Sequence, residues 1–431
     1  MQIVRIKKGE ESRASALLSN RTDSDFEQVD ATVREVIETV RAEGDAAVRR
    51  FTEQFGGAAQ DILADFRVSE AEMEEAWAAT EDHVKAAFEE AAANIRSFHE
   101  HQLQETWTYE KEGGIMLGQL IRPIRHVGVY IPGGAAPLSS TVLMNIIPAK
   151  IAGCPRIVMC SPAGKDGKMN KYILAAAKIA GADEIYRIGG AQAIAAMAYG
   201  TETIRRVDKI TGPGSAYIAR AKKYVYGTVD IDMIAGPSEV MILADRHADP
   251  AFLAADMLSQ AEHDVMASSM LVTDSADIAA ATEQEIARQL PHLDRPEAAA
   301  SIKNNAAIFI TEDLDSAFVI ANDIAPEHLE LALENAESCL DKVDCAGAVL
   351  LGHYSPEPLG DYFAGPNHTL PTSGTARFAS PLGVYDFLTR TSIIRYSGEK
   401  LQQASGKIIA MAESEGLTAH ANAIRIRFEN N

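Results

Sequence analysis

The side chains best suited to chemistry fall in a few short stretches of the second half of the chain. LSQAEHD (258–264) closes the run DPAFLAADMLSQAEHD, whose apolar residues recur at helical spacing, so Gln260 and His263 share one face, a turn apart. Both side chains can ligate a metal, but a Gln and a His so spaced are more often surface or capping residues. IAPEHLEL (324–331) sets Pro326 where a helix would start, with Glu327 and His328 in its first turn. An adjacent carboxylate and imidazole can act as two bases on one substrate; equally, Glu327 can simply favour the helix dipole, which would lower its pKa. IDMIAGPSE (231–239) places Ser238 and Glu239 at a turn. HYSPEPLGDYFAGPNHTLPTSGTARF (353–378) shows no strand or helix pattern and carries Asp361 and His368. Its length points to a functional or disordered loop, and its aromatic and Pro content argues for the first. AESEGLTAH (412–420) adds Glu415 and His420.

Upstream the chemistry-bearing residues are glycines. YIPGGAAPL (130–138), IGGAQAIAA (188–196) and ITGPGSAY (210–217) each open a helix, and free N–H groups at a helix start suit nucleotide phosphates. None is a full GxGxxG or Walker loop, so tight turns and a phosphate cradle explain the three about equally well.

Such residues need a scaffold, and the hydropathy pattern supplies one. From Arg125, short β-branched runs (HVGVYIP, RIVMCSP, EIYRIGG) alternate with Ala-rich helices, as in β-α-β units on a parallel sheet. A second series follows: EVMILAD, SSMLVTDS, AAIFITED and GAVLLGHYS. The fold class expected is α/β, with two Rossmann-like parallel-sheet domains in tandem, a helical N-terminal segment and a small C-terminal tail domain. The boundaries expected are 1–24 for the N-terminal segment and 25–128 with 238–380 for a larger domain carrying the polar site. Residues 129–237 would form a second α/β domain with the glycine loops, and 381–431 a tail with little core of its own, packed on a second subunit. In α/β sheets ligands bind at the carboxyl ends of strands, so the site is expected there in both series.

Composition narrows the partners. Sixty-one acidic against 40 basic residues give a formal charge of -21, which repels phosphate backbones and argues against nucleic acid. The start, MQIVRIKKGEESRASALL, lacks a signal-peptide core and no segment approaches the roughly 20 apolar residues of a membrane span, so a soluble cytoplasmic protein is expected. Cys154, Cys160, Cys339 and Cys345 show no CxxC spacing, which argues against disulfides and thiolate metal sites. Any metal would use nitrogen and oxygen ligands.

SQAEHD, IAPEHLE, GDYFAGPNHTLPTSGTARF and AESEGLTAH, in that order and with IDMIAGPSEV upstream, closely resemble the histidinol dehydrogenases, over essentially the whole chain. The resemblance implies zinc-dependent, four-electron oxidation of L-histidinol to L-histidine through the aldehyde, with two NAD+, as the last step of histidine biosynthesis. It implies one zinc per subunit, held by Gln260, His263, Asp361 and His420, which also meet the substrate. The remaining substrate contacts would be Ser238, His328, His368 and Glu415, with Glu327 and His328 the acid–base pair. Cofactor contacts would be Tyr130, Gln192 and Ser215. The family typically has Asn at the last position, and a bridging water would have to extend the shorter Ser. The family is a homodimer that exchanges its tails, so Glu415 and His420 would complete the partner's site. The rival readings are a zinc hydrolase, a relative oxidising another small alcohol such as a sulfonated diol, and a non-catalytic binding protein. Retention of His368 and Glu415 argues against the relative, and the full acid–base and metal set against the binding protein.

Overall fold

The computed structural model describes residues 1–18, 26–56, 65–133 and 137–429. Strand β1 (Gln2–Arg5) is followed by helices α1 (Ser12–Leu18), α2 (Glu27–Glu43), α3 (Asp45–Gly56), α4 (Glu70–Ala79) and α5 (Asp82–Glu100). Their sequences explain the helices: α2 buries a single stripe of Val33, Val36, Ile37 and Val40, and α4 opens with a capping box in which Ser69 and Glu72 satisfy each other's backbone N–H. Strands β2 (Trp107–Lys111) and β3 (Ile115–Pro123) then form a hairpin, turning at Gly113 and Gly114, both at positive φ.

The first β-α series runs β4 (His126–Tyr130), α6 (Ser139–Ile151), β5 (Arg156–Cys160), α7 (Lys171–Ala180), β6 (Glu184–Tyr186), α8 (Gly190–Tyr199), β7 (Lys209–Thr211), α9 (Ala216–Val225) and β8 (Asp230–Ile231). The second runs β9 (Glu239–Ala244), α10 (Pro250–Ala261), β10 (Ser268–Thr273), α11 (Ala276–Gln289), α12 (Pro296–Asn305), β11 (Ala307–Ile310), α13 (Leu314–Ile324), β12 (His328–Ala332), β13 (Ala348–Leu351) and α14 (Glu357–Tyr362). The chain closes with β14 (Leu388–Arg395), α15 (Gly398–Ser414) and α16 (Thr418–Arg425).

Both series make parallel sheets. The first has the order β6-β5-β4-β7-β8, which by order of appearance is the 3-2-1-4-5 arrangement of dinucleotide-binding folds. Strands β9 to β13 repeat that order, with β1 added beside β11. Continuous apolar strands match burial on both faces: every residue of β9 and β10 is buried.

The chain divides into two compact units, one of Met1–Gln102 with Ile124–Phe387 and one of Leu103–Pro123 with Leu388–Asn431. The first contains both parallel sheets. The second is the antiparallel sheet β14-β3-β2 with α15 and α16. Two sequence expectations change here. The N-terminal segment expected to be helical begins with β1, because the alternating QIVR extends the second sheet more favourably than it starts a helix. Residues 103–123, expected within the larger domain, pair instead with β14 over its whole length, since a free hairpin would leave an open edge. Among the described residues no helix is long and apolar enough to cross a membrane.

Candidate active site

Most of the ionisable side chains singled out in the sequence meet at one edge of the second parallel sheet. Helix α10 ends at Ala261, and the His263 N–H donates to the Gln260 carbonyl at 3.3 Å, so the two stay in one turn with His263 just past the helix. Gln260 is fully buried, yet neither its amide oxygen nor its nitrogen has a partner, and His263 Nδ1 is likewise buried and unpartnered. A buried, unsatisfied amide is costly unless something else meets it.

Across from this turn, the stretch expected to be a featureless loop contains α14, with Asp361 in its last turn. Pro356 and Pro358 at its start were the readable signal, since Pro is favoured there, and they set Glu357 and Asp361 four residues apart on one face. His263, Glu357 and Asp361 bring their ligand atoms within 4.8 Å of one another. His263 Nε2 lies 3.8 Å from Asp361 Oδ2. Nitrogen and oxygen donors beside the orphaned Gln260 amide and an unpartnered Glu357 Oε1 fit a zinc-type ion. Glu357 is the residue that sequence reasoning missed.

Glu327 and His328 complete the cluster, on an element opposite to the one expected. Ala325, at φ +50°, ends α13 in a left-handed cap, and Pro326 marks that end rather than a new start. His328 opens strand β12, whose Leu329 and Leu331 are fully buried between β9 and β13; sheet pairing overrides the helix-start signal. Glu327 Oε2 accepts the Glu239 N–H at 2.8 Å, and His328 Nδ1–H donates to the Glu239 carbonyl at 3.2 Å. His328 Nε2 faces Asp361 Oδ1 at 3.5 Å, and its Nδ1 is 3.8 Å from Glu327.

Burial pushes the Glu327 carboxyl up to about 8, against the lowering expected from a helix start, because it follows the end of α13 and opens no helix. Burial alone would lower His328, but Glu327 and Asp361 outweigh it and raise the imidazole to about 10. Asp361 is buried too, yet the His328 hydrogen bond and the neighbouring imidazoles hold it well below the usual range. His368 is lowered by burial; its Nδ1–H donates to the Asp361 carbonyl at 2.8 Å, and its Nε2 meets the Thr141 hydroxyl at 3.1 Å. His328, Asp361 and His368 line one side of a cavity of about 390 Å³ whose other walls include Phe98, Val349, Leu351, Leu359, Leu382 and Tyr385. A space of that size suits a small molecule.

The cluster gathers where β9 and β12 begin, beside Ser238, and not at the carboxyl edge expected. Toward the carboxyl end of β12, a cavity against α10 and the segment after β13 holds about 10 Å³, room for a single water. Its walls include Asp256 and Glu330, hydrogen-bonded to each other, and Glu330 Oε1 accepts the Glu357 N–H at 2.7 Å. Burial raises Asp256 to about 6 and Glu330 to about 8. A carboxyl with a raised folded-state pKa contributes stability present below its unfolded value and lost as pH rises through the folded one. Asp256→Asn keeps the hydrogen bond and removes this loss. Thermal unfolding from pH 4 to pH 8 is expected to show the variant gaining on wild type as pH rises through about 6; parallel curves would contradict the assignment.

At the first sheet, the strand order reverses between β4 and β7; Tyr130 and Ser215 follow from the carboxyl ends of those strands, and Gln192 lies in α8 after β6. Tyr130 ends β4, is buried, and accepts the Gly190 N–H at 3.2 Å; burial raises its hydroxyl to about 12. Gln192 Oε1, Ser161 Oγ and Thr211 Oγ1 are buried without partners. Ser215 is exposed at the start of α9 and makes no capping bond. Part of the first glycine loop, 134–136, lies outside the described residues. In the second unit, Glu415 follows α15 and His420 lies in α16, both exposed.

Two parallel sheets, one with the strand order of dinucleotide-binding folds and one with a buried carboxylate–imidazole group, define an α/β protein with a site suited to acid–base chemistry. The family model for histidinol dehydrogenase matches residues 19–428. The histidinol dehydrogenase of Bacillus licheniformis is 54% identical over 414 residues, covering 96% of each chain, and that of Heliobacterium mobile is 53% identical over 406 residues, covering 94% of this chain and 95% of its own. The crystal structure of histidinol dehydrogenase from Elizabethkingia anophelis superposes with a TM-score of 0.93 at 39% identity, covering 100% of this chain and 98% of that one. The chain belongs to the histidinol dehydrogenase family.

Proposed function

We propose that the chain oxidises L-histidinol to L-histidine through L-histidinaldehyde, using two NAD+ and one zinc ion per subunit, as the last step of histidine biosynthesis in the cytoplasm. The observation that carries this reading is the convergence of Glu327, His328, Asp361 and His263 on one buried cluster in a chain of this family. Gln260, His263, Asp361 and His420 would hold the zinc, with Glu357 beside them. Bound there, the ion would orient the substrate through its amine and imidazole nitrogens, and the nicotinamide cofactor would accept each hydride.

The protein's own groups handle the protons. With Asp361 engaged by the ion, part of the carboxylate charge that keeps His328 protonated would be neutralised, and the imidazole, held by the Glu239 carbonyl, would then be free to take the hydroxyl proton in the first oxidation. Adding water to the aldehyde requires a second base, and Glu327 suits it: burial makes its carboxylate more basic than an ordinary one, which lifts the objection raised by a helix start. His368, kept neutral by burial and fixed at Nδ1 by the Asp361 carbonyl, would hydrogen-bond the substrate's imidazole through Nε2 in place of the Thr141 hydroxyl. Ser238 would contact the substrate beside it. Tyr130, Gln192 and Ser215 would serve the cofactor; unpartnered polar atoms at that crevice support this.

Glu415 and His420 would come from a second copy of the chain. The second unit supports a dimer, for its buried apolar residues are few while Trp107, Ile394, Met411 and Ile426 are more than half exposed. The test of the metal's part is its removal. Dialysis against a chelator should abolish histidinol-dependent NADH formation, and added zinc should restore it. Full turnover by protein shown to be metal-free would contradict the zinc assignment, and turnover without NAD would move the reading to a hydrolase.

A further inference from the structure

One buried ion pair takes no part in the chemistry above. Lys222 of α9 and Asp232, which follows β8, are each only 1% exposed at the side chain and lie 2.5 Å apart. Both are spent on a single glycine: Lys222 Nζ donates to the Gly212 carbonyl at 2.8 Å, and Asp232 Oδ2 accepts the Gly212 N–H at 2.7 Å. The other oxygen, Asp232 Oδ1, also accepts the Met233 N–H at 2.7 Å. Gly212 follows β7 at the point where the strand order reverses, with φ +115°, so close to Tyr130 that a Cβ would stand 2.0 Å from the Tyr130 carbonyl oxygen. Only glycine fits there, and a glycine is the residue least able to hold its own conformation.

A buried ion pair is a poor device for stability alone, since apolar residues of similar volume do as well or better. What this pair supplies, and apolar residues cannot, is a donor for one polar group of Gly212 and an acceptor for the other. We infer that Lys222 and Asp232 are positioning residues of the cofactor site, clamping Gly212 against Tyr130 so that residues 213–215 and the N–H groups opening α9 meet the dinucleotide in one fixed conformation. This rests on the reading that NAD occupies the crevice between β4 and β7. The pair touches no substrate; it lowers the ordering cost that a free glycine loop would impose on binding.

The test uses the full-length, zinc-loaded enzyme and two double variants that leave no lone buried charge. Lys222→Met/Asp232→Leu removes both contacts to Gly212, whereas Lys222→Met/Asp232→Asn restores an acceptor for its N–H. Kd for NAD by calorimetry, KM for NAD and for histidinol, and metal content are measured for each. Expected is a rise of about tenfold or more in Kd and KM for NAD in the Met/Leu variant, a smaller rise in Met/Asn, and KM for histidinol and metal content within about twofold of wild type. Unchanged NAD affinity in a folded Met/Leu variant overturns the inference, as does an equal loss for both substrates. Failure of the wild type itself to bind NAD would instead overturn the functional reading on which the inference stands.

Discussion

Replacing His263 by Ala is expected to reduce turnover by about a thousandfold or more and to abolish binding of the proposed zinc with it. The imidazole stands 3.8 Å from Asp361, and on the other side the buried Gln260 amide has no protein partner to fall back on. Losing one of the two proposed imidazoles leaves His420 with an amide and carboxylates, a weaker set for an ion that favours nitrogen. The loss is large because orientation of the substrate goes with the ion, and positioning is worth on the order of 7 to 11 kcal/mol in well-arranged cases. The folded state should survive, since His263 is a partly exposed turn residue. Metal content and kcat are measured on the same preparation: loss of both is the expected result, and normal turnover by zinc-free protein would refute the role.

The second large effect concerns subunits. Glu327→Gln removes the proposed base and His420→Ala a proposed ligand from the tail, and each should be inactive alone, by about 10² to 10⁴ for the base. If the tail serves the partner's site, mixing the two after subunit exchange rebuilds one intact site in every mixed dimer. Random re-pairing makes half the dimers mixed, so roughly a quarter of wild-type activity should return. The exposed Trp107, Ile394 and Met411 give the second unit the apolar surface such a dimer would cover. Absence of recovery, with exchange confirmed by mass-labelled subunits, would contradict shared sites.

How far the sequence reveals this arrangement depends on the kind of signal. The β-α alternation is legible because buried parallel strands carry continuous apolar runs, as VMILA and MLV do within β9 and β10. Gln260 and His263 are legible as a pair for the same local reason, helical spacing. Pro326 signals a helix start as readily as an end, so His328 reads locally as helical; only pairing with β9 and β13, which is non-local, decides between them. The choice of the amino edge for the catalytic cluster is equally non-local. Glu357 escaped notice because carboxylates abound in this acidic chain, although its spacing of four from Asp361 was there to read. The β2–β3 hairpin was missed as well: its strands are short and exposed, and their partner β14 lies some 270 residues away.

The most direct test of the account is the count of NADH formed per histidinol consumed, by absorbance with zinc-loaded protein, excess NAD and limiting L-histidinol. Two NADH per substrate, with histidine as product, is the predicted result, because in the proposed mechanism Glu327 and His328 would provide a base for each oxidation in one site. One NADH, with the aldehyde released, or none at all would contradict it.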